Sequence, residues 1–315
     1  MKDNVLVTGG AGYIGALLVP ALLKEGYDVT VVDNFMHRNN NSLLSCAYHP
    51  NFNVTQGDIR SRRIMEPLID YHKVIIPLAA MVGAMACDDD PIQANEINYI
   101  SNEQMFSLAK DGQRFIMPTT NSSYGKSDTP VDEDSPQHPV SQYAKEKLYI
   151  ENLLMQRKEA ISLRLASLYG FSPRMRTDLL LNNIVLRAKT DGFISLFEGG
   201  AMRDFVHVRD VVRAIIFCLG EANWPKMKGE IYNVGEINRT KREVCGMVQY
   251  ISSKHGIEKF LISESDSGKD QDRRDAYIKH DKLAKAGFVY MYCIADGIKE
   301  LIKGYRMYDA SKANF

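Results

Sequence analysis

Asn4-Val-Leu-Val-Thr-Gly-Gly-Ala-Gly-Tyr-Ile-Gly15 decides the reading of the fold. An apolar run suited to a buried strand enters a turn with glycines at 9, 12 and 15, and an amphipathic helix is expected from Tyr13 to Lys24. Glycine permits the tight turn and a close backbone approach, and the free N–H groups at the helix start attract phosphate charge. A second apolar run ends at Asp33, 18 positions beyond Gly15, near the roughly 20 expected of an acid that holds a ribose. Further runs at Val5–Val7, Val29–Val32, Phe52–Thr55, Val74–Leu78, Phe115–Met117 and Ile161–Leu165 alternate with helical patterns. Strands of this kind form a parallel sheet covered on both faces. The fold class read from them is α/β, a doubly wound parallel Rossmann sheet. Past Gly170 the pattern is less regular, with a helix expected over about Leu179–Lys189 and strands at Phe205–Val208, Ile231–Val234 and Phe260–Ser263, which implies a smaller, interleaved α+β substrate-binding domain. The expected boundaries are 1–166 with about 204–225 for the dinucleotide domain, and 167–203 with about 226–305 for the second.

Length and composition bound the rest. The 315 residues suit one large or two closely joined domains, and 39 Lys plus Arg against 39 Asp plus Glu give no global field for nucleic acid or an anionic membrane. The cysteines Cys46, Cys87, Cys218, Cys245 and Cys293 are odd in number and scattered, so buried thiols in a reducing compartment are expected, with neither a disulfide framework nor a metal site. The start of the chain has no signal-peptide pattern, and no run reaches the roughly 18 apolar residues of a span, so a cytoplasmic location is expected. Asp88-Asp-Asp90 before Pro91 reads as a solvated turn with a helix N-cap, and Ser311–Phe315 as a loose tail.

Asp33 favours NAD over NADP, because a carboxylate accepts from a 2′-hydroxyl and repels a 2′-phosphate; Arg38 nearby works against that choice. Asp58 in Gly57-Asp-Ile59 is read either as an adenine contact or as an Asx turn. Tyr143 and Lys147 stand four apart in a helical segment, on one face, where an ammonium lowers a phenol toward general acid/base use. Thr120 closes a predicted parallel strand at the carboxyl edge, where open α/β sheets place ligands.

Gly9-x-x-Gly12-x-x-Gly15, Asp33, Asp58, Thr120-x-x-x-Tyr124-Gly125 and Tyr143-x-x-x-Lys147 together resemble the extended short-chain dehydrogenase/reductases that modify nucleotide sugars, the NAD-dependent epimerase/dehydratase family. Arg203-Asp-Phe-Val-His-Val-Arg-Asp210 and Asn233-Val-Gly235 extend the likeness over nearly the whole chain. The resemblance implies a triad: Tyr143 as acid/base at a sugar hydroxyl, Lys147 on the nicotinamide ribose, and Thr120 on the same sugar oxygen. It places Gly9, Gly12, Tyr13, Ile14, Gly15, Asp33, Asn34, Asp58, Ile59, Leu78, Ala79, Ala80 and Asn98 with Tyr143 and Lys147 around NAD. On the substrate side it places Asn121, Ser122, Asn182, Arg203 and Arg274, the arginines on the diphosphate. A homodimer through helices at about Gln104–Ala109 and Glu146–Met155 is likewise implied.

Relatives that dehydrate resemble Thr-Asp-Glu after the triad threonine, decarboxylases Thr-Ser-Glu, and 3,5-epimerases carry a cysteine where Ser122 stands. Neither Asn121 nor Ser122 replaces a carboxylate or thiol in proton transfer. The chemistry left is 4-epimerisation, alcohol oxidation or ketone reduction on a nucleotide-diphosphate sugar, with a noncatalytic NAD-binding sensor as the alternative from another class. Arg164-Leu-Ala-Ser167 departs from the Arg-Tyr-Phe-Asn of many 4-epimerases, and with Met81-Val-Gly83 and the run to Arg176 it looks closer to a branch that includes GDP-heptose enzymes.

Overall fold

The computed structural model describes residues 2–37, 40–265 and 274–308, so Arg38 and the tail at 311–315 lie outside the described residues. Strands β1 (Asn4–Thr8), β2 (Asp28–Asp33), β3 (Phe52–Gln56), β4 (Val74–Pro77), β5 (Arg114–Thr120), β6 (Ala160–Leu165), β7 (Ser167–Tyr169), β8 (Phe193–Phe197), β9 (Met202–His207), β10 (Glu230–Val234), β11 (Ile237–Thr240) and β12 (Leu261–Ser265) follow in chain order. The helices are α1 (Gly15–Lys24), α2 (Arg62–Tyr71), α3 (Ala84–Asp89), α4 (Pro91–Asn95), α5 (Ser101–Leu108), α6 (Gln142–Leu154), α7 (Leu180–Thr190), α8 (Val208–Leu219), α9 (Trp224–Met227), α10 (Lys241–Ser253), α11 (Asp281–Lys285) and α12 (Ile294–Gly304). A π-helical turn at Glu96–Ile100 joins α4 to α5.

Seven strands form one parallel sheet in the order β3-β2-β1-β4-β5-β6-β10. Successive residues of β1 feed opposite faces, which is why it reads as an unbroken apolar run. Val5 and Val7 pack with Leu18 of α1 and Ile215 of α8, while Leu6 packs with Ile69 of α2 and Ile150 of α6. The strand order reverses about β1 and β4, so their carboxyl ends form the switch point at which such sheets bind ligands.

A second core holds α7, α10 and α12 together through Ile184, Val248 and Leu301. It lies beside a sheet of β11, β9 and β7 and a parallel pair of β12 and β8. One strand corrects the expected boundaries. Residues 230–234 were placed with the substrate domain, yet β10 extends the large sheet from β6, pairing Tyr232 with Leu163. The reason is its apolar register: Tyr232 and Val234 are buried in the same core as Leu163 and Leu165. Of the cysteines, four are buried as expected, but Cys293 is exposed at the start of α12, where its thiol donates to Asp296 Oδ2 at 3.1 Å. Asp90 caps α4 by accepting from the Gln93 amide, as its position before Pro91 implied. Among the described residues no helix is long and apolar enough to cross a membrane.

Candidate active site

The glycine loop sits at the switch point. Gly9 has φ 67°, and a Cβ there would fall 2.6 Å from the Ala79 amide nitrogen, so a side chain would push β1 and β4 apart at the ligand edge. A Cβ on Gly15 would collide with the Gly10 carbonyl oxygen, which fixes the close packing of α1 on the turn. The helix starts at Gly15 rather than Tyr13, after a tight turn closed by the Gly12 amide on the Gly9 carbonyl at 3.0 Å. No side chain caps α1 and its first turn carries no acid, which leaves its amide end suited to a phosphate. Asp33 accepts from the Ala11 amide at 3.0 Å and the Phe35 amide at 2.8 Å, a geometry that keeps lone pairs for a diol.

Other cofactor-side positions follow. Asn34 is exposed and accepts from the Met36 amide, Ile59 is buried in the core, and the Leu78 and Ala79 amides donate to Thr8, with Ala80 half-buried beyond them. Asp58 forms the Asx turn, accepting from the Arg60 amide at 2.9 Å and pairing with the Arg60 guanidinium, which holds its carboxyl below the usual range. Asn98 lies in the π-helical turn, fully buried, and its amide spans the Met81 N–H and carbonyl and reaches Glu146. It therefore shapes the Met81–Gly83 loop.

Tyr143 and Lys147 stand one turn apart on α6, which packs against β5 and the Asn121–Tyr124 turn. Ser141 caps this helix by accepting from the Ala144 amide at 3.2 Å. Tyr143 is half-buried and Lys147 only 4% exposed. Burial pushes Lys147 down to about 8, against the opposing pull of Cys87 and Glu146. The same burial raises the Cys87 thiol to about 11. Thr120, at the end of β5, accepts from the Ser122 amide and donates to Ser122 Oγ, both at 3.1 Å.

The substrate-side residues form a bonded chain. Arg274 donates to Asn121 Oδ1 and, at 2.7 Å, to Ser167 Oγ, while Asn121 donates to Asp204 and His280 lies 3.3 Å from the other Asp204 oxygen. Arg203 is 3% exposed and donates to the Met202 and Arg274 carbonyls. The expectation that Asn182 contacts the nucleotide meets a different fact. Its side chain is fully buried, accepting from the Gly170 amide and donating to Tyr13 Oη and the Arg176 carbonyl. Its amide is thus spent on the loop between β7 and α7. Sequence reasoning missed that loop's Arg174 and Arg176, although Ser-Pro-Arg-Met-Arg was in view, because only the fold brings it to the glycine turn. It also missed Glu146, which is 5% exposed beside Lys147.

Residues 5–235 match the model of the NAD dependent epimerase/dehydratase family. The chain belongs to that family. Its members are NAD-dependent enzymes of nucleotide-sugar epimerisation, dehydration and decarboxylation, and NAD is the cofactor that the glycine loop and Asp33 fit. A putative UDP-glucose 4-epimerase of Methanocaldococcus jannaschii is 27% identical over 311 residues, 95% of this chain and 97% of that one. A UDP-N-acetyl-alpha-D-glucosaminuronate decarboxylase of Bacillus cytotoxicus is 28% identical over 266 residues, 78% of this chain and 79% of its own. The crystal structure of UDP-glucose 4-epimerase from Thermotoga maritima with UDP-glucose superimposes with a TM-score of 0.82 at 25% identity, covering 96% of this chain and 99% of that one.

Proposed function

We propose that this enzyme oxidises C4 of a nucleotide-diphosphate sugar with Tyr143 as acid/base and restores the carbinol with inverted configuration, as a 4-epimerase. The observation that carries the reading is the buried Lys147 one turn from half-buried Tyr143, on the helix packed against Thr120. Bound NAD supplies the hydride acceptor, the part of the chemistry that side chains lack. The Tyr143 phenolate takes the proton of the 4-hydroxyl, the Lys147 ammonium favours that phenolate, and the Thr120 hydroxyl holds the same oxygen. Asn121 and Ser122 offer no carboxylate or thiol for a second proton transfer, which favours chemistry needing the triad alone.

Arg203 and Arg274 hold the sugar nucleotide's diphosphate, with Ser167 and Asn121 orienting Arg274. The cofactor occupies the large-sheet region, the sugar nucleotide the smaller one, and the enzyme works in the cytoplasm. α5 and α6 form the face of a homodimer, on which Tyr149 is exposed. A 4-dehydrogenase or 4-ketoreductase that releases its product, including one acting on a GDP-heptose, is the second reading; Ser167, in place of the asparagine of many 4-epimerases, speaks against UDP-galactose as the substrate.

The test is an absorbance assay for NADH with UDP-, GDP-, dTDP- and CDP-sugars. Epimer formation without net NADH is expected. Accumulating NADH rejects the closed cycle in favour of the dehydrogenase, and NAD binding with no turnover of any sugar favours the noncatalytic sensor.

A further inference from the structure

Ser172-Pro-Arg-Met-Arg176 leaves β7 and is fastened to the glycine loop at its one tyrosine. The Tyr13 hydroxyl donates to the Gly170 carbonyl at 2.6 Å, Ser172 Oγ donates to the Tyr13 carbonyl at 2.8 Å, and Asn182 reaches Tyr13 Oη while holding the Arg176 carbonyl at 2.9 Å. A segment from the second half of the chain is thereby laid across the turn that faces a pyrophosphate.

The two arginines have titratable neighbours at Asp33, His37 and Tyr143. Arg174 is within Coulombic reach of Asp33, the ribose acid, and both arginines are within reach of His37 just beyond it. Arg176 is within reach of Tyr143, at the nicotinamide end, and its Nη2 lies 3.9 Å from where a Cβ on Gly83 would stand. Both arginines thus belong to the loop that hydrogen bonds fasten to Tyr13 of the glycine turn.

Two arginines face one carboxylate in this loop, Asp178. Asp178 takes Nε and Nη2 of Arg176, whose side chain is 16% exposed. Among the described residues, the hydrogen bond of Arg174 runs from Nη1 to the Met175 carbonyl, and no carboxylate pairs with it. Burial, with Arg176 as a like-charged neighbour, pushes the Arg174 pKa down, so a guanidinium there is held at a cost that an anion would offset.

We propose that Arg174 and Arg176 clamp the diphosphate of NAD from the side opposite the glycine-loop amides. The inference rests on dinucleotide binding and is independent of the C4 chemistry. The sugar nucleotide also carries a diphosphate; the ties of this loop to Tyr13 in the glycine turn assign the clamp to the cofactor.

The test is calorimetric titration of the full chain with ADP-ribose and, separately, UDP, for wild type, R174Q, R174K and R176Q. Loss of a charge-assisted hydrogen bond to phosphate should weaken ADP-ribose at least about tenfold in R174Q and in R176Q, with UDP affinity held within about twofold. R174K should recover part of the loss, and the gap between wild type and R174Q should narrow in high salt. The ADP-ribose-induced rise in melting temperature should shrink in R174Q, a readout that also reports whether the unliganded variant is folded. Unchanged ADP-ribose affinity in both glutamine variants overturns the clamp, and a loss confined to UDP overturns its assignment to the cofactor.

Discussion

The Tyr13 hydroxyl donates to the Gly170 carbonyl oxygen at 2.6 Å, joining residues 157 positions apart. Burial pushes this phenol well above its usual pKa, so it stays a neutral donor. It makes the glycine turn and the β7–α7 loop one unit.

Tyr13→Phe should therefore act on stability and on cofactor affinity together. An orphaned buried carbonyl costs about 1–3 kcal/mol, and the freed loop should weaken NAD binding. Urea unfolding and titration with NAD measure the two losses. A stable variant with unchanged affinity would show that the loop does not need this tie.

Arg164 and Glu151 form an ion pair with side chains 2% and 1% exposed, and Glu151 also accepts from Thr119 and Ser162. Arg164→Met leaves a carboxylate buried without its partner, and a loss of about 3–5 kcal/mol is expected in urea unfolding. Replacing Glu151 with Leu in the same chain should restore much of it, because the uncompensated charge is then gone.

The large sheet was legible because β1, β2, β4, β5 and β6 are runs of mostly buried, largely apolar residues, with the half-exposed β3 at its edge. The seventh lies just past the expected boundary at about residue 225, and only its pairing with β6 reveals its sheet. That Tyr143 and Lys147 stand one turn apart was legible because both lie in one helical segment, α6. Asn182 was not: its partners Tyr13, Gly170 and Arg176 come from distant turns, and an asparagine spent inside the protein has the same letter as one that faces a ligand. Arg174 was passed over for a related reason, since its place beside the glycine turn depends on the ties of Tyr13 to Gly170 and Ser172.

Lys147 sets a pH dependence. Burial holds it at about 8, below the roughly 10.4 of an exposed lysine. Between those values the unfolded chain binds one proton more than the folded one, so this group makes stability rise with pH across about 8 to 10.4. Its charge beside Tyr143 is lost over the same range. The rate should fall above about pH 8 without a fall in melting temperature from this source. Lys147→Met should lose activity yet melt no lower than wild type at pH 7, having shed a buried charge. Parallel pH–rate and melting curves check both.

The central claim is that Tyr143 moves the proton. Single-turnover oxidation of the accepted sugar nucleotide by Tyr143→Phe, with NAD saturating and its affinity measured beside it, tests this most directly. The rate should drop at least about a hundredfold with NAD affinity nearly intact, the scale of general acid/base catalysis. A rate within a few-fold of wild type would contradict the account.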